Sequence, residues 1–118
     1  IFSNLTSLNL LQLINLSEDY KKLGLSSIEI KSHLFYPQEV TVPAGQKVKL
    51  TFINFDNTPE EIDSFSLNRE KVIFSNSRGT IFIGPLTPGE YPFFGEFHPN
   101  TAVGKVVVKS AEDNQYAH

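Results

Sequence analysis

Residues 89–108 read Gly-Glu-Tyr-Pro-Phe-Phe-Gly-Glu-Phe-His-Pro-Asn-Thr-Ala-Val-Gly-Lys-Val-Val-Val, and this stretch decides the fold. It begins as an aromatic run and ends as a run of valines, which are residue types that favour β-strands. Pro99 and Asn100 are turn residues, so a tight loop joins the two predicted strands. His98 stands at the crest of that loop, directly before the proline. A short loop of this kind can hold an imidazole in place as a metal ligand.

Apolar residues alternate with polar ones from residue 27 onward, which is the period of a strand with one buried face. The clearest runs are Ser27–Lys31, Glu39–Val42 and Lys47–Phe52. Pro43–Gln46 is predicted as a turn between two strands that need not pair with each other. Residues 67–71 are predicted as a polar turn or short helix. Turn residues recur at short intervals, and we therefore predict an all-β Greek-key sandwich of about eight strands.

Residues 1–26 differ from the rest, because their leucines fall near helical spacing. We predict one helix or two short ones there, followed by a sandwich domain at 27–110 and a polar tail at 111–118. Three roles stay open for the helical segment: packing on its own domain, forming a homodimer, or linking the domain to a leader or membrane anchor. The chain opens without methionine, from which we expect a mature form after leader removal.

Composition excludes several classes of function. The chain has 118 residues, enough for one domain with a single core. Its formal net charge is −3 and it contains no run of Lys and Arg, so we expect no nucleic-acid partner. Cysteine is absent, which excludes a thiolate nucleophile, an iron–sulfur cluster and the thiolate of a blue-copper centre.

The loop at residues 95–102 resembles the ligand loop of cupredoxins. In that family the strand ends in Cys, a His follows three residues later, and Met precedes the final strand. Here Gly95 stands at the place of the Cys, His98 at that of the His, and Ala102 near that of the Met. The segment from Phe52 to Glu60 is similar to the one that carries the family's first His ligand, with Glu60 in its place. The resemblance implies a cupredoxin-like sandwich without a blue-copper centre.

A narrower resemblance covers four motifs, which look like the cupredoxin-like domain of bacterial periplasmic iron-uptake proteins, the EfeO-type group. The motifs are Thr58–Glu61, Leu67–Val72, Gly84–Leu86 and Gly95–His98. This resemblance implies a periplasmic protein that binds copper or iron beside a membrane iron permease. The metal-ligand candidates that it carries over are Glu60, Glu61, Asp63, Glu96 and His98.

Carboxylate oxygen and imidazole nitrogen form a hard to borderline donor set, which suits copper(II), iron or zinc and disfavours copper(I). The resemblance places Glu60 and His98 at one end of the sandwich. Glu96 lies two residues before His98, so both side chains face the same way if the segment is extended. Glu61 and Asp63 alternate with Glu60, which places them on the opposite face, as a second site. We expect one bound ion, copper(II) or iron, with Gly95 leaving room for an exogenous ligand.

Each candidate also has a purely structural interpretation. His98 can be a loop histidine that bonds to nearby carbonyls, and Glu60 a carboxylate that accepts from backbone amides. Glu96 can be a surface charge or can orient His98. His33 is predicted as a surface residue, and Arg69 as the ion-pair partner of Glu70.

Two functions from different classes remain. The first is periplasmic binding of copper(II) or iron in support of metal uptake. The second is a metal-free sandwich that serves as an interaction or assembly module. We predict no enzymatic activity, because one usable histidine and no cysteine leave no nucleophile–base pair, although a metal oxidase step stays open.

Overall fold

The computed structural model describes residues 25–110, and these residues form nine strands. The strands are β1 (Leu25–Lys31), β2 (Leu34–Tyr36), β3 (Glu39–Pro43), β4 (Val48–Asn54), β5 (Glu60–Ser64), β6 (Arg69–Ile73), β7 (Arg78–Ile83), β8 (Gly89–Gly95) and β9 (Val103–Lys109). The prediction of an all-β sandwich is confirmed, with one strand more than the approximate count. The additional short strand is β2, which forms a hairpin with β1.

The strands form two sheets, with the orders β2-β1-β4-β7 and β3-β9-β8-β5-β6. The predicted turn after β3 carries the chain from the second sheet to the first, so β3 and β4 do not pair. Backbone bonds fix this crossing, since Ala44 N–H donates to Lys109 O (2.9 Å) and Gly45 N–H donates to Leu86 O (2.9 Å). The central pair of the second sheet is β8 and β9, the two strands predicted from residues 89–108.

The turn predicted for residues 67–71 is confirmed for Leu67 and Asn68 and is wrong from Arg69 onward, where strand β6 begins. Its partner β5 imposes the extended conformation through an antiparallel register in which Glu61 lies opposite Val72 and Asp63 opposite Glu70. Most of β6 is exposed, so its sequence lacks the apolar alternation of a strand. Pairing with a neighbour has overridden local composition here.

Three aromatic rings fill the space between the sheets. Phe35, Phe52 and Phe93 are at most 2% exposed. Their ring centroids lie 5.1 to 6.2 Å apart in tilted and edge-on arrangements. Such pairs contribute about 0.5–1.5 kcal/mol each beyond the area they bury. This cluster joins β2, β4 and β8. The loop after β4 leads to Glu60 at the start of β5, and the loop after β8 contains His98.

Residues 1–24 of the predicted helical segment lie outside the described residues. Its last two residues, Leu25 and Ser26, belong to strand β1. The predicted tail at 111–118 also lies outside them. Among residues 25–110, no helix has the length and apolarity needed to cross a membrane.

Candidate metal centre

Glu60 is the first residue of β5 and is 2% exposed. Its Oε1 accepts hydrogen bonds from the backbone N–H groups of Glu61 (3.0 Å) and Phe97 (2.9 Å). Its Oε2 lies 2.8 Å from Nδ1 of His98. Because the carboxylate oxygen accepts, Nδ1 of His98 carries the proton. The start of β5 and the loop after β8 therefore meet through this hydrogen bond, whose Glu60 side is buried.

Local hydrogen bonds hold His98 in place. Its backbone N–H donates to Gly95 O (3.1 Å), and its carbonyl accepts from Ala102 N–H (2.9 Å). These bonds curl residues 95–102 into a compact turn whose end is closed by the fully buried Ala102. The His98 side chain is 30% exposed, so one edge of its imidazole faces the surface.

The curl of this loop corrects the expectation for Glu96. Residues 96–98 are a turn rather than an extended segment, so Glu96 and His98 do not face the same way. Backbone N–H of Glu96 donates to Glu61 O (2.8 Å). The charge of the Glu96 carboxylate helps to raise the pKa of Glu61, and its hydrogen bond and charge help to raise the pKa of Asp63.

Gly95 does not leave room for an exogenous ligand, in contrast to the prediction. A Cβ atom at this position would lie 2.6 Å from Glu60 Cδ and 2.7 Å from both Glu60 Oε2 and Ala102 Cβ. The Glu60 carboxylate and Ala102 have filled the volume that a side chain at residue 95 would need. A thiolate centre at this position is thus excluded by space as well as by the absence of cysteine.

Sequence reasoning missed the involvement of His33 and Asp56 at this end of the sandwich. The His33 ring stacks on the His98 ring, with centroids 3.5 Å apart and planes inclined by 11°. Nδ1 of His33 lies 3.4 Å from Oδ2 of Asp56. The sequence signal that could have pointed to Asp56 is the Asn- and Asp-rich loop that precedes β5. Nothing in the local sequence indicates that the β1–β2 turn, which contains His33, lies next to that loop and His98.

Glu61 and Asp63 lie on the other face of β5, as the alternation predicts, because Glu60, Ile62 and Ser64 take the buried positions. Together with Glu70 they form a group of carboxylates, here called the outer carboxylates. One ligand-type oxygen from each lies within 4.8 Å of the other two. Among the described residues, Oδ1 of Asp63 is buried without a hydrogen-bond partner.

Crowding changes the acidity of the outer carboxylates. A hydrogen bond with Glu70, followed by burial and the neighbouring charges, raises the pKa of Glu61 to about 7. Burial, followed by the charge of Glu70, raises the pKa of Asp63. Arg69 does not neutralise Glu70, since its guanidinium donates to the carbonyls of Phe82 (2.8 Å) and Asn68 (2.9 Å). The predicted pair of Arg69 with Glu70 is therefore replaced by these bonds.

The five predicted ligand residues thus fall into two groups. Glu60, which is buried, and His98, which is partly exposed, form a hydrogen-bonded oxygen–nitrogen pair at one end of the sandwich, here called the pole. Glu61, Asp63 and Glu96 gather at the outer face. The pole fits a nitrogen–oxygen centre for a borderline ion. It does not fit the thiolate centre of blue-copper proteins.

Fold and pole together define a cupredoxin-type sandwich whose thiolate position is glycine. A family model for the cupredoxin-like domain matches residues 5–108, and the chain therefore belongs to that family. The protein is 43% identical over 81 residues to the uncharacterized protein RP394 of Rickettsia prowazekii (strain Madrid E). That match covers 69% of this chain and 65% of the relative, so the chain spans just under two thirds of its length.

Solved structures support the same fold. The purple cupredoxin of Nitrosopumilus maritimus is 23% identical with a TM-score of 0.56, and the match covers 71% of this chain and 99% of that one. Reduced auracyanin of Roseiflexus castenholzii is 18% identical with a TM-score of 0.61, covering 73% and 97%. Amicyanin of Paracoccus versutus is 20% identical with a TM-score of 0.57, covering 72% and 81%. At these identities the likeness establishes the fold alone.

Proposed function

We propose that this protein binds one ion of copper(II) or iron at the pole, in the periplasm, in support of metal uptake. The observation that carries the proposal is the 2.8 Å separation between Glu60 Oε2 and His98 Nδ1. This separation is that of a hydrogen bond, in which Nδ1–H points directly at Oε2. An ion shared by the two atoms would replace the proton, and the His98 ring would have to turn so that both atoms face the ion.

An ion held by Glu60 Oε2 and His98 Nδ1 would take the place of the proton that Nδ1 donates to Glu60, and that proton would be released to solvent. The Oε1 contacts with Glu61 N–H and Phe97 N–H need not change, so they hold the carboxylate in the same place. A bound ion would supply a Lewis-acidic centre without thiolate covalency, which fits storage or delivery of the metal better than blue-copper electron transfer.

Cation binding is tested by calorimetric titration of the metal-free protein with Cu(II) and with Fe(II). We expect about one ion per chain for the wild type, loss of binding in His98→Ala, and weaker binding in Glu60→Gln. Asp63→Asn, a charge-removing change among the outer carboxylates, is the matched control and should leave the pole affinity unchanged. Equal binding by all four proteins would refute the assignment to the pole.

The setting of the protein rests on the resemblance to the iron-uptake group and has its own test. Cell fractionation should recover the protein with periplasmic markers, and its deletion should slow growth under iron limitation. A permease partner should co-purify with it after cross-linking in membranes. Recovery with cytoplasmic markers would refute this part and leave the metal site untouched.

One observation favours the second candidate, a metal-free interaction module. Both oxygens of Glu60 and Nδ1 of His98 already have hydrogen-bond partners within the protein, so the pole is satisfied without an ion. This function predicts no stoichiometric binding of either metal, together with a partner whose binding is insensitive to His98→Ala. The titration separates the two candidates.

A further inference from the structure

The β1–β2 turn adopts a conformation that ordinary residues avoid. Ser32 and His33 both have positive φ angles, 52° and 61°. Ser32 and His33 are the two loop residues of the β1–β2 hairpin, since Lys31 pairs with Leu34, and positive φ at both is the type I′ turn that matches the twist of the paired strands. Asn and Gly are the usual residues of such a turn, so Ser32 and His33 adopt it at a cost that contacts from outside the turn can offset.

Asp56 stabilises that turn from the loop between β4 and β5. Its Oδ1 accepts from Ser32 N–H (2.7 Å), and its Oδ2 accepts from His33 N–H (3.0 Å). Asp56 is itself fixed, because its backbone N–H donates to Oδ1 of Asn54 (2.9 Å). Asn54 is 1% exposed and donates from Nδ2 to the carbonyls of Thr58 (2.9 Å) and Ile73 (3.2 Å). A continuous set of hydrogen bonds therefore runs from the core to the turn.

The result of this arrangement is the position of one ring. The His33 imidazole lies flat on the His98 imidazole, 3.5 Å away between centroids. Imidazole lone pairs lie in the ring plane, so two rings inclined by only 11° aim their nitrogens in parallel planes rather than at one ion. The stack is thus unsuited to shared ligation and well suited to fixing the plane of the His98 ring.

We propose that His33 is a positioning residue for His98. Its stacked ring, held by Asp56, keeps His98 turned so that Nδ1 faces Glu60 Oε2. The inference rests on the proposed function, since it assigns His33 a role at the same metal site. It adds that metal affinity depends on an aromatic ring at residue 33 and not on its nitrogens.

Two substitutions separate the effect of the His33 ring from the effect of the backbone conformation of the turn. His33→Asn keeps the turn, because asparagine tolerates positive φ, but removes the stacked ring. His33→Phe keeps an aromatic face but removes both nitrogens. Ser32→Gly is the matched control, since glycine suits the turn and leaves His33 intact. Circular dichroism with heating verifies that each variant is folded.

The measurements are Cu(II) affinity and, in the metal-free protein, ¹⁵N NMR of the His98 ring nitrogens. Loss of an orienting neighbour typically weakens metal binding by about 10–100-fold. We expect a loss in that range for His33→Asn, and wild-type affinity within about 3-fold for His33→Phe and Ser32→Gly. The NMR signals should show a single protonated Nδ1 in the wild type and His33→Phe, and averaged tautomers in His33→Asn.

Two results would overturn the proposal. Unchanged affinity and unchanged NMR signals in His33→Asn would remove any role for His33. An equal loss in His33→Phe, with one nitrogen fewer in the Cu(II) electron paramagnetic resonance spectrum, would make His33 a ligand instead. If the wild type binds no Cu(II), the proposed function fails, and the NMR comparison of the metal-free proteins alone decides whether His33 orients His98.

Discussion

Replacing Gly95 with alanine should disrupt the pole without touching either candidate ligand. The added Cβ would lie 2.6 Å from Glu60 Cδ, whereas carbon atoms pack best at about 3.5–4.0 Å. Glu60 must therefore move by about 1 Å. Ala102 Cβ, at 2.7 Å, blocks accommodation on another side. A shift of this size takes Oε2 out of hydrogen-bond range of His98.

The expected cost follows from two contributions. Overpacking a well-filled interior costs about 1–3 kcal/mol. Losing a hydrogen bond to a charged group costs about 1.5–3 kcal/mol more. Gly95→Ala should therefore lower the free energy of unfolding by about 2.5–6 kcal/mol, a large part of the stability of a small domain.

Urea unfolding followed by far-UV circular dichroism measures this loss, and it suits a chain that contains no tryptophan. Gly45→Ala is the matched control, because φ is +74° there and nothing lies within 4 Å of the added Cβ. Its cost should be that of the backbone conformation alone, about 1–2 kcal/mol. In a Glu60→Ala background the cost of Gly95→Ala should fall, because two of the three close contacts of the added Cβ are with Glu60 side-chain atoms that this background lacks.

The reasoning is refuted if Gly95→Ala costs no more than Gly45→Ala. It is also refuted if Gly95→Ala costs the same with and without the Glu60 side chain, because the two positions would then be independent.

Three further predictions concern the surroundings of the pole. Asn54→Ala should cost about 2–4 kcal/mol in urea unfolding, because it unpairs buried carbonyls, whereas the exposed Asn57→Ala should change stability by less than about 0.5 kcal/mol. Folding raises the pKa of Glu61 from 4.5 to about 7, so between these pH values the folded metal-free protein holds a proton that the unfolded chain has lost. The free energy of unfolding should therefore rise as pH falls through that window, and Glu61→Gln should flatten the rise. Cu(II) at 100 times its Kd should stabilise the wild type by about 2.7 kcal/mol in calorimetry and leave His98→Ala unchanged, and equal shifts in both would contradict ligation by His98.

Much of the sandwich could be predicted because its signals are local. The alternation in β1, β3 and β4 and the turn at Pro43–Gln46 belong to neighbouring residues, and each fixes its own conformation. Strand β6 could not be predicted this way, because it is extended only through its pairing with β5.

The site at the pole could likewise be predicted only in part from the sequence. The available donors, carboxylates and imidazoles with no sulfur, can be listed from the sequence because donor chemistry is a property of residue type. Their grouping is set by the folded chain, which brings Glu60 to His98, Glu96 to the outer carboxylates, and the β1–β2 turn over His98. These contacts join segments as far apart as His33 and His98, which are separated by 65 positions, and no local conformational preference encodes contacts at such a distance.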